Sequence, residues 1–160
     1  MRARRLFLIL CLALPGGVCG DPSSEPPAPR GVTLQLRLGS ADPPASVHQF
    51  SVGRAIPVRV TLVNDTGSEA RLPFSSGRTH DLILLDESGA EVWRWSNGRR
   101  FTQRVQELAL PAETRQDIEL ECDPRRATGE PLSAGRYHAV AVLPVLDAEI
   151  RSEPIPLELR

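Results

Sequence analysis

A hydrophobic period of two constrains this chain more than any other feature. Val32, Leu34, Leu36 and Leu38 alternate with Thr33, Gln35 and Arg37, and Ile56, Val58, Val60 and Leu62 alternate with Pro57, Arg59 and Thr61. Successive side chains of a strand point to opposite faces, so each run predicts a strand with one buried and one wet face. Pro57 has no N–H for a ladder, so the second strand starts there or has an edge on that side. Residues 81–85 (DLILL) and 90–95 (AEVWRW) flank Asp86-Glu87-Ser88-Gly89, a hairpin signal with Gly where positive φ is favoured. Asn64-Asp65-Thr66-Gly67 supplies another turn. Further strands are expected at residues 114–122, 136–142 and 155–159, with a weaker one at 102–108. No apolar stripe at helical spacing competes with them. The expected fold is all-β: an immunoglobulin-like antiparallel β-sandwich of about seven or eight strands. Ala134-Gly135-Arg136-Tyr137, with Gly two residues before Tyr at the start of a late strand, fits the tyrosine corner of such sandwiches.

At 160 residues the chain is the size of one domain, and its net charge of −1 disfavours nucleic acid as a partner. Its N-terminus has export character. Arg2, Arg4 and Arg5 precede an apolar run at residues 6–14 (LFLILCLAL) and a break at Pro15-Gly16-Gly17, which predicts a signal peptide over residues 1–20. The run is too short to span a bilayer, which takes ~20 apolar residues, and no later stretch is longer. Val18-Cys19-Gly20 leaves two outcomes open, release by cleavage before Asp21 or lipidation of Cys19. Residues 21–30 (DPSSEPPAPR) predict an extended Pro-rich tether, and residues 31–160 the folded domain. The expected localisation is export across the cytoplasmic membrane, to a periplasmic, secreted or lipid-anchored state at the cell envelope. Cys11 leaves with the signal, so an internal disulfide is excluded. Cys122 shares a face with Ile118 and Leu120 and is expected to be a buried core residue, not a reactive thiol.

Enzyme chemistry is not expected. His48, His80 and His138 lack the spacing that puts two metal ligands on one face, and no cofactor motif is present. Ser75, Ser76, His80 and Asp81 have the residue types of a triad, but adjacent strand residues such as His80 and Asp81 point apart. The loop after the hairpin carries more information. Arg94, Trp95, Ser96, Asn97, Gly98, Arg99 and Arg100 put three cations beside an aromatic in an Asn-Gly turn. Arg and Trp are enriched at interface hot spots, which makes this loop the candidate partner contact. Trp93 and Phe101 are candidate loop anchors. Trp93 and Trp95 share a face, and at least one of them is expected to be buried. Core anchoring and partner contact both stay open, and both can hold. The loops at residues 39–46 and 123–134 are alternative contacts.

Ser76-Gly77, then Asp81, an apolar strand, and Glu91-Val92-Trp93-Arg94-Trp95-Ser96 followed by Gly98 and Phe101-Thr102-Gln103, resemble the intracellular proteinase inhibitor (BsuPI-type) domain family. The resemblance implies an immunoglobulin-like sandwich and, from the family's namesake, inhibition of a subtilisin-like serine proteinase. Two departures stand out. The namesake activity is cytoplasmic, whereas the N-terminus here reads as exported, and Thr79-His80 stands where the family pattern has an aromatic before the Asp. Two functions therefore compete. One is an exported proteinase-inhibitor-like domain that binds a protein partner, a serine protease by resemblance. The other is a non-inhibitory cell-envelope binding module or lipoprotein on the same scaffold.

Overall fold

The computed structural model describes residues 31–39 and 47–160. The expected signal peptide, the tether, Cys19 and most of the 39–46 loop lie outside the described residues. The described chain is all-β, with β1 (Val32–Leu38), β2 (His48–Phe50), β3 (Ile56–Asn64), β4 (Ala70–Phe74), β5 (Asp81–Leu85), β6 (Glu91–Arg94), β7 (Gln106–Leu110), β8 (Thr114–Cys122), β9 (Gly135–Leu143), β10 (Ile150–Arg151) and β11 (Ile155–Leu159). They form one sheet in the order β1-β3-β8, a second in the order β2-β11-β9-β5-β6 with β10 on β9, and a pair β4-β7.

The alternating runs become the strands they predict. On β1 and β3 the apolar positions from Val32 to Leu38 and from Ile56 to Leu62 are buried, while Thr33, Gln35, Arg37, Pro57 and Arg59 stay exposed. They pack against the inner face of the larger sheet, where large residues oppose small ones. Leu82 pairs with Ala141 and Leu84 with Ala139. Leu157, Leu159, Leu72, Phe74 and Leu110 complete the core, and each fully buried Leu or Phe contributes about 1.5–3 kcal/mol. β5 and β9 are also covered on their other face, where Ile83, Val140 and Val142 form a second cluster with Leu85. Burial on both faces is why residues 81–85 read as a continuous apolar run.

The strand count is eleven among the described residues, above the expected seven or eight. The extra elements are β2, β4 and β10, two of them only two or three residues long, and β4 carrying Pro73 at a site where the ladder cannot use an N–H. The pairing is antiparallel except that β2 runs parallel to β11, His48 opposite Leu157. The weak strand expected at residues 102–108 forms only from Gln106, because its partner β4 ends at Phe74, opposite Gln106.

Local bonds fix the two ends of the sandwich. Asn64, fully buried, donates from Nδ2 to the carbonyls of Ser68, Leu110 and Pro111, while its Oδ1 accepts from the N–H and hydroxyl of Thr66. This joins the β3–β4 turn to the β7–β8 turn. The Leu146 N–H bonds the Pro73 carbonyl at 2.7 Å, at the same end. At the opposite end Gly39 lies against Phe50 and Gly53 against Pro131. There the Tyr137 hydroxyl donates to the Ser133 carbonyl at 2.9 Å, which is the expected tyrosine corner. Cys122 is buried, and desolvation, with Asp123 adding, pushes its thiol up to about 12.

Candidate functional site

The candidate loop grows out of the β5–β6 hairpin. Asp86 Oδ1 closes the turn by accepting from the Ser88 N–H at 2.9 Å, the Ser88 hydroxyl at 2.6 Å and the Ala90 N–H at 3.0 Å. Those bonds, Ser88 first, hold the Asp86 carboxyl below its ordinary range. Gly89 adopts φ +83°, which Gly tolerates without strain. In the register that follows, Leu84 faces Trp93 and Ile83 faces Arg94, and the ladder continues with a bond from the Trp95 N–H to the Leu82 carbonyl at 2.8 Å.

Period two then separates the motif into two halves. Trp93 and Trp95 point to the core side and pack against the main cluster. Neither is buried, against the expectation for at least one of them: both are half-buried, because β6 is the edge strand of its sheet. Arg94 and Ser96 point to the opposite side and meet Asp81, whose side chain is completely buried. Asp81 Oδ1 accepts from the N–H groups of Leu82 and Ser96, each at 3.0 Å. Its Oδ2 accepts from the Ser96 hydroxyl at 2.6 Å, from Arg94 Nη1 at 3.1 Å and from Arg78 Nη1 at 3.4 Å. Arg94 also donates from Nε to Glu91 at 2.9 Å. Bonds to Glu91 first, and to Asp81 after the opposing effect of burial, hold its guanidinium more firmly charged than usual.

The rest of the loop is built around Trp95. Arg99 lies over the indole with Cζ 4.0 Å from the ring centroid and donates from Nε to the Trp95 carbonyl at 3.0 Å. Phe101 is 6.2 Å from the ring at 45°, and His80 is 5.0 Å away at 42°. The imidazole thus packs as an aromatic against the Trp95 ring. Its Nδ1 lies 3.1 Å from the Thr79 hydroxyl. Burial chiefly lowers the His80 pKa, with Arg99 adding and Asp81 opposing. Asn97, Gly98, Arg99 and Arg100 are exposed, with Gly98 at φ +76°. Bonds from Asn97 N–H to Arg94 and from Arg99 N–H to Ser96 tie this stretch into tight turns. A shallow depression of about 360 Å³ opens between this turn, Arg78 and Gln103.

The structure places Arg94 at the end of β6 and residues 95–100 in the turn that follows, with Arg94 and Ser96 turned inward to Asp81, Trp93 and Trp95 packed on the core and Phe101 against Trp95. The 123–134 loop lies at the other end of the sandwich, so it and the Trp95 loop do not share a surface. Sequence reading missed Asp81 as the hub, because its partners lie up to fifteen residues away. It also missed Gly77, whose N–H bonds the Thr102 carbonyl at 2.8 Å. A side-chain carbon there would fall 2.5 Å from Thr102 Oγ1. The signal for both was the motif itself, whose Ser-Gly, Asp, Arg and Ser positions have no apolar role. Among the described residues no cluster of three or more His, Cys, Asp or Glu could hold a metal.

The family described as "Intracellular proteinase inhibitor" (BsuPI) matches residues 45–148, which contain every residue of this arrangement. The match corrects one expectation: an intracellular family conflicts with the exported localisation read from residues 6–14, and overturns it. No curated protein matches the chain significantly by sequence. Among solved structures, the chain is similar to the alkylpurine DNA glycosylase AlkC of Pseudomonas fluorescens bound to DNA containing an abasic site analog. The identity is 18% and the TM-score 0.48, over 81% of this chain and 30% of that one. A β-glucosidase from Erythrobacter marinus is similar at 14% identity and TM-score 0.44, over 81% and 15% of the two chains. The C-terminal domain of wzt is similar at 10% and 0.47, over 81% and 74%. The chain spans less than a third of the glycosylase and less than a fifth of the glucosidase, and these likenesses say nothing of its activity. The Ser-Gly that meets Thr102, the buried Asp81 and the Trp-Arg-Trp-Ser that divides between core and carboxylate all fall inside the family match, and the chain belongs to the intracellular proteinase inhibitor (BsuPI) family.

Proposed function

We propose that this proteinase-inhibitor-like domain binds a serine protease, subtilisin-like by the family's namesake, through the end of the sandwich that carries the Trp95 loop. The observation that carries the reading is the clamping of Trp95 between Arg99, Phe101 and His80 above a core-packed hairpin. A loop held this way loses little further conformational entropy on binding. Arg94 is engaged by Asp81 and Glu91, so within residues 94–100 the partner contact falls on Asn97, Gly98, Arg99 and Arg100. The domain acts by occupying a cleft, with no chemistry of its own.

The test is an inhibition panel of subtilisin-like and trypsin-like serine proteases against the full chain. Nanomolar to micromolar inhibition of at least one protease is expected, weakened when Arg99 and Arg100 are replaced together by Ala. Inhibition of none overturns the reading and leaves the domain a binding module without inhibitory activity.

A further inference from the structure

The turn at residues 97–100 cannot itself lie extended in a protease cleft, because its Asn97 and Arg99 amides are tied back to the Arg94 and Ser96 carbonyls. The stretch just beyond it can. Gln103, Arg104 and Val105 are exposed, have negative φ and belong to no strand. Among the described residues, none of their backbone N–H or carbonyl groups has a backbone partner. Val105 is 69% exposed, the highest of the exposed large hydrophobic residues. Extended backbone with free N–H and carbonyl groups is what a cleft recognises by adding it as a strand.

Both ends of this span are pinned. Upstream, Phe101 packs on Trp95 and the Thr102 carbonyl accepts from Gly77. Downstream, Gln106 pairs with Phe74, which is fully buried. Arg104 makes no ion pair or hydrogen bond among the described residues, unlike Arg94 and Arg99. It is a free forked donor in the middle of the span, suited to a carboxylate at the bottom of a deep pocket.

Resting on the inhibitory reading above, we infer that residues 103–105 are the segment that enters the protease cleft, with Arg104 filling its specificity pocket. The partner is then a serine protease with an acidic pocket, one that cleaves after arginine. The Trp95 loop flanks the span, supports it from one side and adds Arg99 and Arg100 to the contact.

The experiment measures inhibition constants of the full chain and of its Arg104→Ala and Arg104→Leu variants. The targets are an arginine-specific serine protease and a subtilisin-like one that prefers large apolar residues. Arg104 is exposed and makes no hydrogen bond or ion pair among the described residues, so thermal melting should be unchanged in both variants. The wild type should inhibit the arginine-specific enzyme, and Arg104→Ala should weaken that inhibition thirtyfold or more, as loss of a hot-spot side chain does. Arg104→Leu should shift inhibition toward the subtilisin-like enzyme. A wild type that inhibits an enzyme of either type equally with and without Arg104 overturns the assignment of this span and leaves the inhibitory reading standing. A wild type that inhibits neither enzyme, nor any other of the panel, overturns both.

Discussion

Arg94 and Arg104 carry the same guanidinium close to the same hairpin and differ in everything else. Arg94 has only 19% of its side chain exposed and is bonded to Asp81 and Glu91. Arg104 is exposed and makes no such bond among the described residues. The contrast extends to their neighbourhoods. Around Asp81, both oxygens of a buried carboxylate are satisfied, by the adjacent Leu82 N–H, by Arg78 three residues upstream and by Arg94 and Ser96 from across the hairpin, whereas the backbone groups of residues 103–105 have no backbone partner among the described residues. A motif rich in Arg and Trp thus contains two kinds of cation. One kind makes the loop rigid, and the other is what a rigid loop presents.

The sharpest way to break the comparison is to remove the buried carboxylate. Asp81→Ala leaves Arg94, Arg78 and the Ser96 hydroxyl without their shared acceptor. Losing one partner of a buried charged pair costs about 3–5 kcal/mol. Urea unfolding should show a free energy lowered by that amount, with the midpoint displaced by the loss divided by the m-value, and a loss below about 1 kcal/mol would mean that the hub is not structural.

Gly77→Ala comes next. The new methyl would meet Thr102 Oγ1 at 2.5 Å and Thr102 N at 3.3 Å, an overpacking that costs about 1–3 kcal/mol. Its effect on inhibition should exceed that of the stability loss alone, because the displaced residue is the upstream pin of the 103–105 span. Equal inhibition by the folded variant would show that the span needs no pin.

The two regions also differ in how they can be read from sequence. β1, β3 and the hairpin were legible because period two and an Asp-x-x-Gly turn are local signals, and the tyrosine corner because its Gly and Tyr lie two residues apart. Asp81 was not legible as a hub, since its ligands Arg94 and Ser96 are brought to it by a strand register that no spacing rule encodes. β2, β4 and β10 were missed because two or three residues, or five with a Pro, carry no periodicity. The strand expected at 102–108 failed in its first four residues for want of a partner, and that failure frees the span proposed to bind.

Cys122 gives a smaller, pH-dependent contrast with the exposed end. Its thiol is raised from 9.0 to about 12 by burial. A group whose folded pKa is raised contributes stability that is present below the unfolded value and lost as pH rises through the folded one. Stability should therefore decline from about pH 9 toward 12, and more steeply in the wild type than in Cys122→Ala. Alkylation read by mass at Cys122 should be slow in the native protein and fast in denaturant. Equal rates would place the thiol at the surface.

The smallest effects separate Arg99 from Arg100, adjacent cations on the same turn. Arg99 lies over the Trp95 ring and bonds its carbonyl, so Arg99→Ala removes a cation–π contact worth about 0.5–1 kcal/mol at an exposed site. Arg100 is exposed, has no ion pair among the described residues, and Arg100→Ala should change stability by less than about 0.5 kcal/mol. In a protease complex the order should reverse. Arg99 has already committed one face to the indole and one donor to a carbonyl, whereas Arg100 can turn toward an acidic rim and mainly raise the association rate. Association measured at low and high salt should lose its salt dependence more in Arg100→Ala than in Arg99→Ala. A larger loss in Arg99→Ala would mean that the stacked cation faces the partner, and that the turn contacts the protease through Trp95 and not through its tip.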